Sequence, residues 1–262
     1  MSSIEKTEAV VLRSMPYRET SKIVSFYTRR FGKLSTIVKG ARRSPGRYGS
    51  SLEPMSYDSI VIYKKETREL QTLTQCDRLR PFLRLYEDLA KMSAGMGMIE
   101  ITAMVAHDEE ENGGLFSLLV GCLSAADAAT KNPGHVLYCF EVQLAKILGF
   151  QPSFSRCVEC GKTIGGKDAV GTELRFHLER GGPLCESCSV PSGHAVGVSG
   201  NLLQTLEALS QMSDPLDATQ MDIDHPQGAH IQNFLWNYLR YHVQGLRPLN
   251  SEKVASQILA LP

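Results

Sequence analysis

Residues Tyr17–Tyr48 read YRETSKIVSFYTRRFGKLSTIVKGARRSPGRY. Two runs in this stretch, Lys22–Thr28 and Leu34–Lys39, are rich in Val, Ile, Tyr and Thr. A turn at Phe31-Gly32-Lys33 separates them, which is the pattern of paired strands. The same stretch carries nine basic side chains (Arg18, Lys22, Arg29, Arg30, Lys33, Lys39, Arg42, Arg43 and Arg47) against one acid, Glu19. Four rings, Tyr17, Phe26, Tyr27 and Phe31, are interleaved with the first five cations. Dense positive charge beside ring faces suits a polyanion with stackable bases. The nine cations are therefore candidate phosphate contacts, and Tyr17, Tyr27 and Phe31 candidate stacking partners. Strand alternation must bury some rings, and at least half of the four are expected in the core.

Further strands are expected on either side, at Glu8–Arg13, Ser59–Lys64 and Leu70–Thr74. Five short strands at this spacing suit a small antiparallel barrel of the OB type over residues 1–80. The longest gap between them, Gly40–Met55, is basic and rich in Gly, Ser and Pro, and is expected to form a mobile loop beside a binding face.

Net charge is zero over the whole chain, yet the charges are segregated. Residues 1–80 hold 16 basic and 8 acidic side chains, a balance of +8, and the remainder carries −8. This points to an N-terminal module that meets a polyanion and a remainder that does not. The start, MSSIEKTEAVV, has two acids and no apolar run before a cleavage site, so no secretory signal is expected. No apolar run approaches the ~20 residues of a membrane span.

After a hinge expected at Arg78–Pro81 the hydrophobic period becomes helical, running from Leu83 towards Val105, then over Leu115–Thr130 and Gly134–Leu148. The charge run from His107 to Gly114 reads as a solvated loop. Helical patterning resumes at Ser199–Met212, Gln227–Gln244 and Ser251–Leu259. The expected organisation is multidomain α+β: an OB-fold over 1–80, a helical domain in two parts over 81–150 and 197–262, and a zinc ribbon over 151–196 between them.

Cys157-Val-Glu-Cys160 and Cys185-Glu-Ser-Cys188 form two C-x2-C pairs with 24 residues between them. Each pair is a tight knuckle, and two knuckles complete a tetrahedral S4 shell suited to one structural Zn²⁺. Four thiolates leave no open coordination position, so the metal would hold the fold and not catalyse. His177 and His194 lie nearby as less suitable substitutes. Cys76, Cys122 and Cys139 sit singly in apolar surroundings and read as buried hydrophobes. No GxxxxGK[ST], GxGxxG, HExxH or GxSxG occurs. The Asp222-Ile-Asp224-His225 group reads as a polar linker. The expectation is a binding protein without a catalytic residue.

At this point the residues resemble a known family. The run from Thr7 to Arg43 is similar to the start of the bacterial recombination mediator family RecO, in the Y-x-E element at Tyr17–Glu19, the phrase around Phe26–Gly32 and V-K-G-A-R-R at Val38–Arg43. Leu144–Gly149 followed by Cys157-x2-Cys160 resembles the family's helix leading into its zinc module, and Leu249-Asn-Ser251 its closing segment. Asn250 is a departure, since a lysine is expected there. The resemblance implies an OB-fold, a helical domain and an embedded zinc ribbon. It also implies binding of single- and double-stranded DNA without sequence preference, strand annealing, and, with RecR, help in loading RecA onto strands coated by single-strand-binding protein, whose C-terminal tail is a further partner. A cytoplasmic, nucleoid-associated location goes with that role. The rival readings are a zinc-ribbon transcription or translation factor and an enzyme of nucleic-acid metabolism.

Overall fold

The computed structural model describes residues 2–43, 48, 50–164, 171–189 and 194–251. The candidate Arg47 lies outside the described residues, as does the expected C-terminal helix beyond Ser251.

The alternating N-terminal runs form β1 (Ser2–Tyr17), β2 (Ser21–Thr28), β3 (Gly32–Val38), β4 (Tyr57–Lys65) and β5 (Leu70–Arg80). They close a barrel in the order β1-β2-β3-β5-β4, with β3 and β5 parallel and the other pairs antiparallel. This is the OB arrangement expected from the strand spacing. β1 and β5 run well beyond their expected ends. The length of β1 lets its first half pair with β4 and its second half with β2, and a bulge between Val11 and Arg13 bends it from one partner to the other.

Inward-facing Val11, Val24, Phe26, Leu34, Val38, Ile60, Ile62 and Leu73 fill the barrel. The β3–β4 connection contributes Ala41, Tyr48 and Leu52 to that core. Met55 is also buried, so the described part of this connection plugs the barrel and does not stand off it as a mobile loop.

The contacts group into two compact units. One holds the barrel and continues through Ala129, joined by the segment from Arg247. In it a 3-10 turn at Leu83–Tyr86 precedes α1 (Leu89–Val105) and α2 (Gly113–Ala128). Each helix starts on a side-chain cap, Asp88 accepting from the N–H of Lys91 and Asn112 from that of Leu115. Leu249 is buried, and the N–H groups of Asn250 and Ser251 donate to the carboxylate of Glu100 on α1 at 2.7 and 3.1 Å. Backbone groups make that anchor, so the change from lysine at position 250 leaves it intact.

Thr130–Leu246 form the other unit. Here α3 (His135–Ile147) leads to a three-stranded sheet of β6 (Glu173–His177), β7 (Gly182–Leu184) and β8 (Ala195–Ser199) in the order β7-β6-β8. Two helices follow, α4 (Gly200–Gln211) and α5 (His225–His242). Phe176 of β6 meets Phe234 of α5 edge-on at 4.9 Å, with Phe154 and Tyr238 around them. Asp224, part of the acidic group in the expected linker, caps α5 by accepting from the N–H of Gln227.

Candidate nucleic-acid interface and metal centre

The nine candidate cations do not form one patch. The β1–β2 turn and the start of the β3–β4 connection are laced together at one end of the barrel. The N–H of Arg42 donates to the carbonyl of Thr20 at 2.9 Å and its guanidinium to the carbonyl of Arg18 at 2.8 Å. Arg18 adopts a left-handed backbone, φ 51°, and its guanidinium lies 5.3 Å from the ring centre of Tyr17. Arg18, Lys39, Arg42 and Arg43 are all exposed here. None has an acidic side chain within ion-pair distance among the described residues. Lys22, close by, is paired with Glu53 at 2.8 Å.

At the β2–β3 end the cations are matched. Arg29 pairs with Glu8 at 2.8 Å and Arg30 with Glu5 at 3.1 Å. Burial pushes the Glu8 carboxyl up, but hydrogen bonds from Tyr57 and Arg29 outweigh it and hold the group below the usual carboxylate range. The acidic run after α1 is exposed, as expected of a solvated loop, and its backbone also meets the start of β3. Lys33 donates its N–H to the carbonyl of His107 at 3.4 Å, and its carbonyl accepts from the N–H of Glu109 at 3.1 Å. The approach depends on Gly32, where φ is +56° and an added Cβ would sit 2.0 Å from the Glu110 carbonyl oxygen. Lys33 and Lys64 then meet Asp108 and Glu109 at 3.3 and 2.8 Å.

The ring candidates divide similarly. Phe26 faces the barrel core. Tyr27 points outward from the barrel but is only 1% exposed, because Phe116 of α2 covers it with ring centres 6.2 Å apart. Its hydroxyl donates to the carbonyl of Asn112, and burial pushes its pKa up to about 12. Tyr27 therefore offers no face to a base, which corrects the expectation for this residue. Tyr17 and Phe31 are half-buried. Phe31 packs against the barrel core, with Arg30 at 4.9 Å and Lys64 at 5.7 Å from its ring centre. Tyr63 of β4, outside the ring candidates, is 39% exposed. The alternation of Ser59–Lys64 already places it on the face opposite the core residues Ile60 and Ile62.

In the second unit the knuckles expected from the cysteine spacing are formed. The Cys157 carbonyl accepts from the N–H of Gly161, and the Cys185 carbonyl from that of Cys188, both at 2.9 Å. The four sulfur atoms of Cys157, Cys160, Cys185 and Cys188 lie within 4.8 Å of one another. Cys160 and Cys185 Sγ are 3.7 Å apart. A tetrahedron with metal–sulfur bonds of about 2.3 Å has edges of about 3.8 Å, which the Cys160–Cys185 pair matches, so the four thiols could hold a metal ion. That spacing is far beyond the ~2.05 Å of a disulfide. Ile164, Leu184, Val158 and Leu174 pack around the cluster. Burial pushes the Cys157 thiol up, but N–H groups of Cys160 and Cys185 and the neighbouring thiols bring it down to about 7. The Cys188 thiol, bonded by Cys185 and Cys160, is pushed up to about 12. His177 and His194 are engaged elsewhere, accepting from the N–H of Arg180 and bonding the hydroxyl of Tyr241. The three single cysteines are buried, and burial pushes the Cys139 thiol to about 11.

Residues 1–82 match the family model described as Recombination protein O N terminal, and residues 86–253 that described as Recombination protein O C terminal. The chain is 32% identical to the DNA repair protein RecO of Chloroherpeton thalassium over 98% of its own length and 99% of the relative's. It is 36% identical to the DNA repair protein RecO of a Nocardioides species, covering 71% of this chain and 75% of that one. The protein of the same name from Salinibacter ruber is 38% identical over 59% of each. With both halves matched in order and a relative aligned from end to end, this chain is a member of the recombination protein O family.

Proposed function

We propose that the protein is a recombinational DNA-repair mediator that binds single- and double-stranded DNA without sequence preference. In this reading it anneals complementary strands and, with RecR, helps load RecA on strands coated by single-strand-binding protein, engaging that protein's C-terminal tail. One observation carries the reading: four cations, Arg18, Lys39, Arg42 and Arg43, are gathered at one barrel end with no acidic partner among the described residues. Cations that are not already paired gain most from a phosphate and release its condensed counterions. Contacts to phosphate position a strand but read no sequence. Two strands held on such a surface repel each other less, and bases left free of donor contacts can pair. Arg29, Arg30, Lys33 and Lys22 would contribute only after leaving Glu8, Glu5, Asp108 and Glu53.

The four cysteines would hold one Zn²⁺, which supplies the cross-link that ties the two knuckles together. No catalytic residue is assigned. The proposed location is cytoplasmic and nucleoid-associated; among the described residues no helix is long and apolar enough to cross a membrane.

The test is annealing of complementary oligonucleotides coated with single-strand-binding protein, over a salt series and without nucleotide. Annealing that needs no ATP and fades with salt is expected. Failure on coated strands, with selective binding to one duplex or RNA sequence, would replace this reading with a zinc-ribbon regulator.

A further inference from the structure

Of the seven cysteines only Cys160 is exposed. Its partners in the quartet are more sheltered. Cys157 is 2% and Cys185 7% exposed, and Cys188 is half-buried. The Cys157 sulfur also accepts the N–H of Cys185 at 3.4 Å. With zinc bound all four would be thiolates, the reactive form of the side chain. Thiolates of like chemistry then differ mainly in access, and access favours Cys160.

The sulfur facing it belongs to the other knuckle. Cys160 Sγ stands 3.7 Å from Cys185 Sγ. A disulfide requires ~2.05 Å, so the two atoms would have to close by about 1.7 Å. Cys185 follows β7, whose Leu184 is opposite Arg175 of β6, and is held by the sheet. Cys160 stands in the exposed turn that the Gly161 N–H closes on the Cys157 carbonyl. The closing movement therefore falls to that turn.

We propose that Cys160 is a modification site for hydroperoxides and that Cys185 resolves it, so that oxidation exchanges the ribbon's metal cross-link for a covalent one. This rests on the zinc occupancy proposed above. In the first step a peroxide OH bonds to the Cys160 sulfur as the O–O bond breaks, and the other oxygen leaves as hydroxide, or as an alkoxide from an alkyl hydroperoxide, and is protonated by solvent. In the second the Cys185 thiolate attacks that sulfur. The S–S bond forms, the S–O bond breaks, and hydroxide leaves to be protonated in turn. The two sulfurs lose two electrons between them and the peroxide gains two. Cys157 and Cys188 are left as thiolates, too few to complete a tetrahedral shell. The new bond still joins the two knuckles, which a disulfide inside either C-x2-C pair would not do. A dithiol reductant reverses the exchange.

The test uses the full zinc-loaded chain, hydrogen peroxide and a chromogenic chelator, with peptide mapping of the oxidised thiols. Zinc content is measured first. A chain without zinc overturns the occupancy, and the inference with it, before any oxidant is added. Wild type should then release about one zinc per chain, with a sulfenic-acid trap labelling Cys160 and a Cys160–Cys185 disulfide in the map. Cys160→His keeps four zinc ligands and should slow release by roughly tenfold. Cys188→His, changed at a half-buried position, should release at close to the wild-type rate. Retention of zinc by wild type under peroxide, a disulfide within either C-x2-C pair, or equal release from wild type and Cys160→His would each overturn the inference. The wild-type map decides by itself should Cys160→His fail to load zinc. Annealing is not the readout, so a negative result here leaves the DNA-binding function standing.

Discussion

Replacing Arg42 and Arg43 together with alanine isolates the contribution of cations that have no internal partner. For single strands the logarithm of affinity falls with the logarithm of salt by about 0.7 per neutralised phosphate. Four unpaired cations, Arg18, Lys39, Arg42 and Arg43, therefore predict a slope near −2.8, and the double variant a slope near −1.4. Between about 50 and 200 mM salt the wild type should lose about 50-fold in affinity and the variant about sevenfold. The control is Arg29→Ala/Arg30→Ala. Its cations already face Glu8 and Glu5 at 2.8 and 3.1 Å, so the slope should change by far less than in the first variant. These pairs are exposed and individually weak, so a small change is expected and not none. Because Arg42 also holds the carbonyl of Arg18, thermal unfolding of the variant must be checked first. The assay is anisotropy of a labelled thymidine oligonucleotide over a salt series. Equal flattening in the two variants would refute the reasoning, because internal pairing would then not decide which cations meet DNA.

The acidic run makes the converse prediction. Asp108→Asn with Glu109→Gln should release Lys33 and Lys64 and steepen the salt slope by up to about 1.4, and an unchanged slope would mean that those lysines face away from the strand. Purified protein should contain about one zinc by elemental analysis, and Cys157→Ser with Cys185→Ser should abolish it; full metal content in that variant would dismiss the tetrathiolate site. Tyr27→Phe should cost about 1 kcal/mol in unfolding free energy, through loss of the bond to Asn112, and leave oligonucleotide affinity unchanged; weakened affinity would return Tyr27 to the interface. Asp58 is fully buried in β4 and, among the described residues, without a hydrogen bond in good geometry, and burial pushes its carboxyl up to about 6, tempered by Ser56 and Ser51. The folded state then holds the proton more tightly than the unfolded one, so stability falls as pH rises from about 4 to about 6, by roughly 1–3 kcal/mol. Asp58→Asn should remove that dependence in denaturant melts at about pH 4.5 and 7.5, and identical curves at both pH values for wild type would contradict it.

The barrel was legible because its strands bury one face, so Val24, Phe26, Ile60 and Ile62 fall at the period-two spacing that sets the register. The cysteine quartet was legible because knuckle geometry is local to each C-x2-C pair. What escaped was decided by residues distant in sequence. Tyr27 stands on the outer face of β2, where alternation alone assigns it to solvent. It is buried because Phe116, 89 positions later, lies over it. The partners of Arg29 and Arg30 come from β1, 21 and 25 residues earlier, and that of Lys33 from the run after α1. The period from Leu83 onward reads as one helix, yet the chain takes a 3-10 turn and restarts at Asp88, whose carboxylate accepts from the Lys91 N–H. A loop named mobile for its Gly, Ser and Pro content carries Ala41, Leu52 and Met55, which have more to gain in the core than in water.

The charge asymmetry of the sequence thus means something narrower than the count suggests. An excess of +8 over the first 80 residues invites the picture of a uniformly basic barrel. In the fold, Glu5, Glu8 and Glu53 from within that segment, and Asp108 and Glu109 from the acidic remainder, each meet one of its cations. The matched cations lie mainly where the β2–β3 turn meets the acidic run, and Arg18, Lys39, Arg42 and Arg43, without an acidic partner among the described residues, lie where β1 turns into β2 and β3 ends. A polyanion approaching such a barrel is drawn to one end and finds the other neutralised, because attraction follows the local field and not the total charge. In the proposed interface the acidic run would contribute from outside, by withholding Lys33 and Lys64 from the strand.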